Sequence, residues 1–179
     1  MTLSYPFLLL IAGICMALSA GAFLMAPAWL PAFARNRITG AVLGAWMLSV
    51  CVPHVEQLFG PDSMFGNPAL LWGAAAVLWV LLILYADYLC ARALAVVCIF
   101  AAYLLLREGN AFRPDGYIVY AVLFFLTGTL GIVIGAKPVW LRDWFEAARN
   151  NCRVRWISAG SFGVAALLFL GGGIVHLFT

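Results

Sequence analysis

Residues 69–106 read ALLWGAAAVLWVLLILYADYLCARALAVVCIFAAYLLL, an apolar run whose only charged interruptions are Asp87 and Arg92. As one α-helix this stretch would be about 57 Å long at 1.5 Å per residue, far more than the roughly 30 Å of a bilayer's hydrocarbon core. It must fold back on itself. The polar break predicts a tight turn at residues 86–88, with Asp87 capping the second helix of the pair.

The same reading extends outward to four further spans. Residues 7–25 form an apolar span closed by Ala26-Pro27, and residues 38–55 form another, bent near its end by Pro53. Residues 117–136 and 156–178 complete a set of six. Composition agrees: 66% of the 179 residues are hydrophobic and 9% charged, against roughly 45–50% and 25% in soluble domains, so a water-facing surface could not be covered. The expected fold class is all-α, a polytopic membrane protein with one transmembrane domain over residues 1–179 and no room for a separate soluble domain. No lysine or arginine precedes the first apolar stretch, so that span is expected to be retained rather than cleaved as a signal peptide. The five cysteines lack Cys-x-x-Cys spacing and fall mostly within spans, where they read as small apolar residues.

Two stretches share a pattern. Pro27-Ala28-Trp29-Leu30 follows the first span and Pro138-Val139-Trp140-Leu141 the fifth, each leading through arginines to a span that opens on glycines. This suggests an internal hairpin repeat, hairpin A over about residues 7–56 and hairpin B over about 117–178, flanking the central hairpin of 69–106. Parallel repeats of this kind imply a pseudo-twofold axis along the membrane normal. The alternative is that Pro-x-Trp-Leu marks any helix leaving a membrane with Trp at headgroup level. The connection in hairpin B is long enough for a helix of its own. From residue 139 to 153, Leu141, Trp144, Phe145, Ala148 and Cys152 share one face, while Arg142, Asp143, Glu146, Arg149 and Arg153 lie elsewhere. That is the pattern of an amphipathic helix lying on the inner membrane face. Trp29, Trp140, Trp144 and Trp156 are its expected interfacial anchors, with the neighbouring exits.

Arginine and lysine placement sets the orientation. With both termini outside, Arg35, Arg37, Arg92, Lys137, Arg142, Arg149, Arg153 and Arg155 lie inside and only Arg107 and Arg113 outside. The expected location is a bacterial inner membrane with periplasmic termini. The basic balance then reflects topology and anionic lipid, and nucleic acid is not needed as a partner.

Candidate functional residues are few. Gly40 and Gly44, Gly128, Gly131 and Gly135, and Gly160 and Gly163 are spaced to let helices approach closely. Gly171-Gly172-Gly173 invites a close partner helix or a small apolar ligand. On the outer side, His54 and His176 fall at similar depths in the two copies and are candidate axial ligands for haem b. The alternative is that each bonds a loop carbonyl or water. A metal site of His54, Glu56 and His176 is disfavoured, because His-x-Glu does not share a helical face. The outer loop of residues 58–68, with Phe59, Met64 and Phe65, is a candidate lid over a hydrophobic site.

No catalytic, nucleotide or metal signature stands out, and no ionisable side chain lies near the midplane of a span, which argues against ion or proton coupling. The role that best fits is a non-catalytic membrane subunit or scaffold packing against other membrane proteins or itself, with lipids as further partners. The alternatives are a transporter or binding protein for a small apolar molecule such as a lipid or quinone, and a haem-holding redox subunit.

Overall fold

The computed structural model describes residues 5–26, 28–59, 67–112 and 116–178. Among them the chain is all-helical: α1 (Tyr5–Met25), α2 (Leu30–Phe33), α3 (Arg37–Phe59), α4 (Pro68–Tyr85), α5 (Leu89–Phe112), α6 (Tyr117–Ala136), α7 (Val139–Asn150) and α8 (Cys152–Phe178). Six of these, all but α2 and α7, are long and apolar enough to cross a membrane. Pro27, Asp62, Met64, Phe65, Arg113 and Asp115 lie outside the described residues, as does most of the expected lid.

The turn in the central run falls at Ala86–Tyr88 as the polar break requires, but Asp87 does not cap α5. Its carboxylate lies 3.9 Å from Arg37 Nη2, and its backbone carbonyl accepts a bond from Arg92 Nε at 3.3 Å. Tyr88 sits immediately before α5 with φ of 56°, a left-handed conformation that costs a residue with a Cβ about 1 kcal/mol or more. The caps that do form come from asparagine. Asn36 Oδ1 accepts from Ile38 N and Thr39 N at 3.0 and 3.2 Å, Asn67 Oδ1 from Ala69 N at 3.0 Å, and Asn151 Oδ1 from Arg153 N at 2.9 Å, starting α3, α4 and α8. Asn151 also interrupts the expected helix of 139–153. Its extended backbone ends α7 at Asn150, so Cys152 opens α8 and is exposed instead of joining the apolar face of α7. Pro53 lies inside α3, which continues past it to Phe59.

Helix pairing does not follow the expected hairpins. The most extensive contact joins α1 to α8, which run antiparallel, and the next joins α5 to α6; α3 packs on α5 and, less closely, on α4. A pseudo-twofold would pair α3 with α6 as α1 pairs with α8, and α3 instead lies against α5. The repeat is therefore not expressed in the packing. Two buried clusters hold the bundle. Phe23, Leu30, Ala95, Ile134, Leu141 and Phe145 belong to one, and Tyr5, Leu9, Leu105, Phe124 and Phe169 form the other. Phe23 centres the first, with ring centroids of Trp144, Phe145 and Phe162 at 5.0, 5.6 and 5.5 Å. In the second, Phe124 and Phe169 stack at 5.4 Å, a geometry favourable beyond the area it buries.

The glycines divide by what faces them. A Cβ on Gly131 would meet the Ala95 carbonyl oxygen at 2.8 Å, and one on Gly128 or Gly135 would meet Ala102 Cβ at 3.2 Å or Ala95 Cβ at 3.4 Å, so this face of α6 packs on α5 as its spacing implies. Gly40 brings α3 against the backbone at the start of α5, 2.5 Å from Cys90 N for a built Cβ, and Gly44 receives the Trp79 indole of α4. Gly160 and Gly163 meet no neighbour among the described residues. Nothing lies within 4 Å of a Cβ built on either, because the face of α8 that meets α1 is a different one, carrying Gly173 against Leu10 and Pro6, and Leu170 against Gly13. Gly172 meets the Tyr120 side chain, and Gly171 faces open space.

Candidate functional site at the arginine-rich end

Antiparallel packing of α1 on α8 brings the two Pro-x-Trp-Leu exits to the same end of the bundle. Leu30 and Leu141 play matching parts there. They are 5% and 4% exposed and share one buried cluster, while Trp29 and Trp140 stand 59% and 51% exposed. Lys137 Nζ lies 4.9 Å from the Trp140 ring centroid, within cation–π range. Trp156 is also exposed, in keeping with an interfacial anchor. Trp144 turns inward instead. It is half-buried, stacks on Phe162 and donates its indole N–H to Ser158 Oγ at 2.9 Å. It lies on the same inward face of α7 as Leu141, Phe145 and Ala148, which are buried, and that shared periodicity was the available signal.

Between α2 and α7 the two exits enclose an open cleft of about 650 Å³, lined by Ala28, Pro31, Ala32, Arg35, Asn36, Arg142, Glu146, Arg149 and Asn150. Its walls are the elements that follow the two copies of the motif. Three guanidiniums face one carboxylate in the lining, so the cleft is cationic.

Tyr88 organises two of those guanidiniums. Arg142 Nη1 donates to its hydroxyl at 3.1 Å, and Arg35 lies over its ring at 5.9 Å. The left-handed turn that the double-span run requires thus places a phenol ring between arginines from two separate connections. Arg142 is held further by Asp143 Oδ1, at 3.0 Å from Nε and 2.6 Å from Nη2, and by Glu146 Oε1 at 3.5 Å. The hydrogen bond to Asp143 pushes Arg142 above the usual arginine value, so its charge is permanent and its geometry fixed. Arg35 and Arg149 make no ion pair among the described residues. Asn36 uses its side-chain oxygen to cap α3, which leaves its NH2 group as a donor at the cleft wall. Sequence reasoning missed Tyr88 and Asn36. The signal for Asn36 was an asparagine two residues before an apolar run, whereas nothing in the sequence marked Tyr88.

The expected haem ligands lie elsewhere and are not brought together. His54 Nδ1 is 3.0 Å from the Val50 carbonyl of its own helix, and its ring stands edge-on to Phe100 at 5.3 Å. His176 sits among Tyr5, Phe112 and Tyr120, with centroids at 6.4, 5.9 and 6.3 Å. The two share no neighbouring ring among the described residues. Beside His176, the hydroxyl of Tyr5 is buried with no hydrogen-bond partner among the described residues. Among the described residues no group of three or more His, Cys, Asp or Glu is placed to hold a metal ion.

The chain is a multi-pass membrane protein by the length and composition of its six spans. Comparison with known proteins adds no relative: no family model, no curated protein and no solved structure matches the chain.

Proposed function

We propose that this protein is a non-catalytic subunit or scaffold of a larger membrane assembly, set in a bacterial inner membrane with both termini outside and the arginine-rich end inside. One observation carries the reading: α4, an 18-residue apolar span, has no buried residue. Only Leu71, Ala75, Trp79 and Ile83 are half-buried, at steps of four, which makes a single narrow seam. It packs chiefly on α3, where Trp79 fills the notch at Gly44.

Lipid tails are as apolar as leucine, so a span gains little by packing unless small residues allow close approach. The outer faces of α4 retain that capacity. Gly73 faces open space, and Ala74 and Ala76 beside it are exposed. A span that adds almost nothing to its own protein's core is accounted for by contacts with a neighbouring membrane protein.

Native mass spectrometry of the protein extracted gently from its own membrane tests this. A retained subunit of defined stoichiometry, released by Gly73→Leu and cross-linked from a photoreactive side chain at position 77, supports the reading. A lone polypeptide, with no cross-link from α4 in the intact membrane, refutes it.

A further inference from the structure

We infer that the cleft between α2 and α7 is a binding site for a phosphate-bearing anion, with Arg35 and Arg149 as the cations that lack a carboxylate partner among the described residues. Of the three guanidiniums in the lining, Arg142 is engaged by Asp143, Glu146 and the Tyr88 hydroxyl, while Arg35 and Arg149 have no carboxylate partner among the described residues. Two cations converging on one concave surface repel each other, and that cost is offset when an anion is bound between them. Guanidinium suits phosphate because its planar fork matches two of the oxygens.

The site is built in advance. Tyr88 is held at φ of 56°, and strain of that kind persists where the surroundings over-determine it. Its ring fixes Arg35 from one side and its hydroxyl fixes Arg142 from the other. Asn36 is locked by its capping bonds and adds a neutral donor, and Asn150 closes the end of α7. The volume, about 650 Å³, exceeds an inorganic phosphate several-fold and suits a glycerophosphate group. Exposed Trp29 and Trp140 flank the same exits, at the depth where lipid phosphates lie when such residues mark the interface. A phosphate diester of an acidic lipid and a soluble phosphate share this chemistry.

The test uses the full chain in nanodiscs of phosphatidylcholine containing about one-tenth phosphatidylglycerol, with retained lipids counted by native mass spectrometry. Inorganic phosphate is titrated in parallel into phosphatidylcholine-only discs and read by phosphorus NMR. The wild type is expected to retain phosphatidylglycerol in preference to phosphatidylcholine. Arg35→Gln with Arg149→Gln should weaken that preference by about a hundredfold or more, from two charge-assisted hydrogen bonds lost inside the cleft. Arg153→Gln with Arg155→Gln, a change of equal charge outside the cleft, should leave it intact. Should the double variant lose its helical fold, each single variant carries the test, at roughly tenfold apiece. Preference for phosphatidylglycerol identifies a lipid; phosphate binding without it, lost in the same variants, identifies a soluble phosphate. Absence of both in the wild type, or equal loss in the Arg153/Arg155 pair, overturns the assignment.

Discussion

Replacing single glycines by alanine separates helix packing from helix propensity in this protein. In a helix the change gains up to about 1 kcal/mol from reduced backbone freedom at any position, so that term cancels when two sites are compared. What remains is the contact. At Gly131 the new methyl would lie 2.8 Å from the Ala95 carbonyl oxygen and 2.9 Å from Cys98 Cβ and Ile99 Cγ1. The first of these is backbone, so α5 must move, and overpacking of this kind costs about 1–3 kcal/mol. At Gly160 and Gly163 nothing lies within 4 Å, and the propensity gain stands alone. Gly131→Ala should therefore be less stable than Gly160→Ala by about 1–3 kcal/mol. Gly128→Ala should fall between them, with a contact at 3.2 Å, and Gly135→Ala near Gly160→Ala, with one at 3.4 Å. Reversible unfolding in mixed micelles, followed by circular dichroism, reads the order directly. Equal stability of Gly131→Ala and Gly160→Ala would refute the claim that this face of α6 is a backbone-close contact.

Three other expectations are open to simple measurement. A double-mutant cycle of Trp144→Phe and Ser158→Ala should return a coupling of about 1 kcal/mol, the net value of one hydrogen bond; a coupling near zero would show that the 2.9 Å indole bond stabilises nothing. An impermeant maleimide should reach exposed Cys152 in inverted vesicles but not in intact cells, and should leave buried Cys90 unmodified in both; labelling of Cys152 from outside would reverse the proposed orientation. Because His54 and His176 lie against different rings, the purified protein should lack the Soret band of a bis-histidine haem. A band abolished by either His54→Ala or His176→Ala would overturn that.

The spans were legible because crossing a bilayer demands length and apolarity, and both are written in the order of residues. The turn at 86–88 was legible for the same reason. Which helix faces which was not. In a membrane the lipid-facing and protein-facing sides are both apolar, so Gly160 and Gly163 look like Gly128 and Gly131 although only the second pair meets a neighbour. The amphipathic connection is the instructive exception. α7 lies where one side meets water, and its inward residues Leu141, Phe145 and Ala148 could be read from spacing. The two Pro-x-Trp-Leu exits were visible as a repeat, but the cleft between them depends on α1 pairing with α8. The same limit hid Tyr88, whose ring joins Arg35 and Arg142 from sites 53 and 54 positions away.

That α1 takes α8 as its principal partner also has a consequence for biogenesis. About 150 residues separate the end of one helix from the end of the other, and at a synthesis rate of about 5–20 residues per second the wait lasts roughly 8–30 s. Throughout that interval α1 stands in the bilayer with Gly13 and the small face around it unfilled, and over its final part α5 and α6 are already able to pair. The nascent protein therefore passes through a half-assembled state whose exposed groove belongs to its own final helix, and a chain interrupted before α8 would leave the membrane quality-control machinery a well-defined surface to recognise.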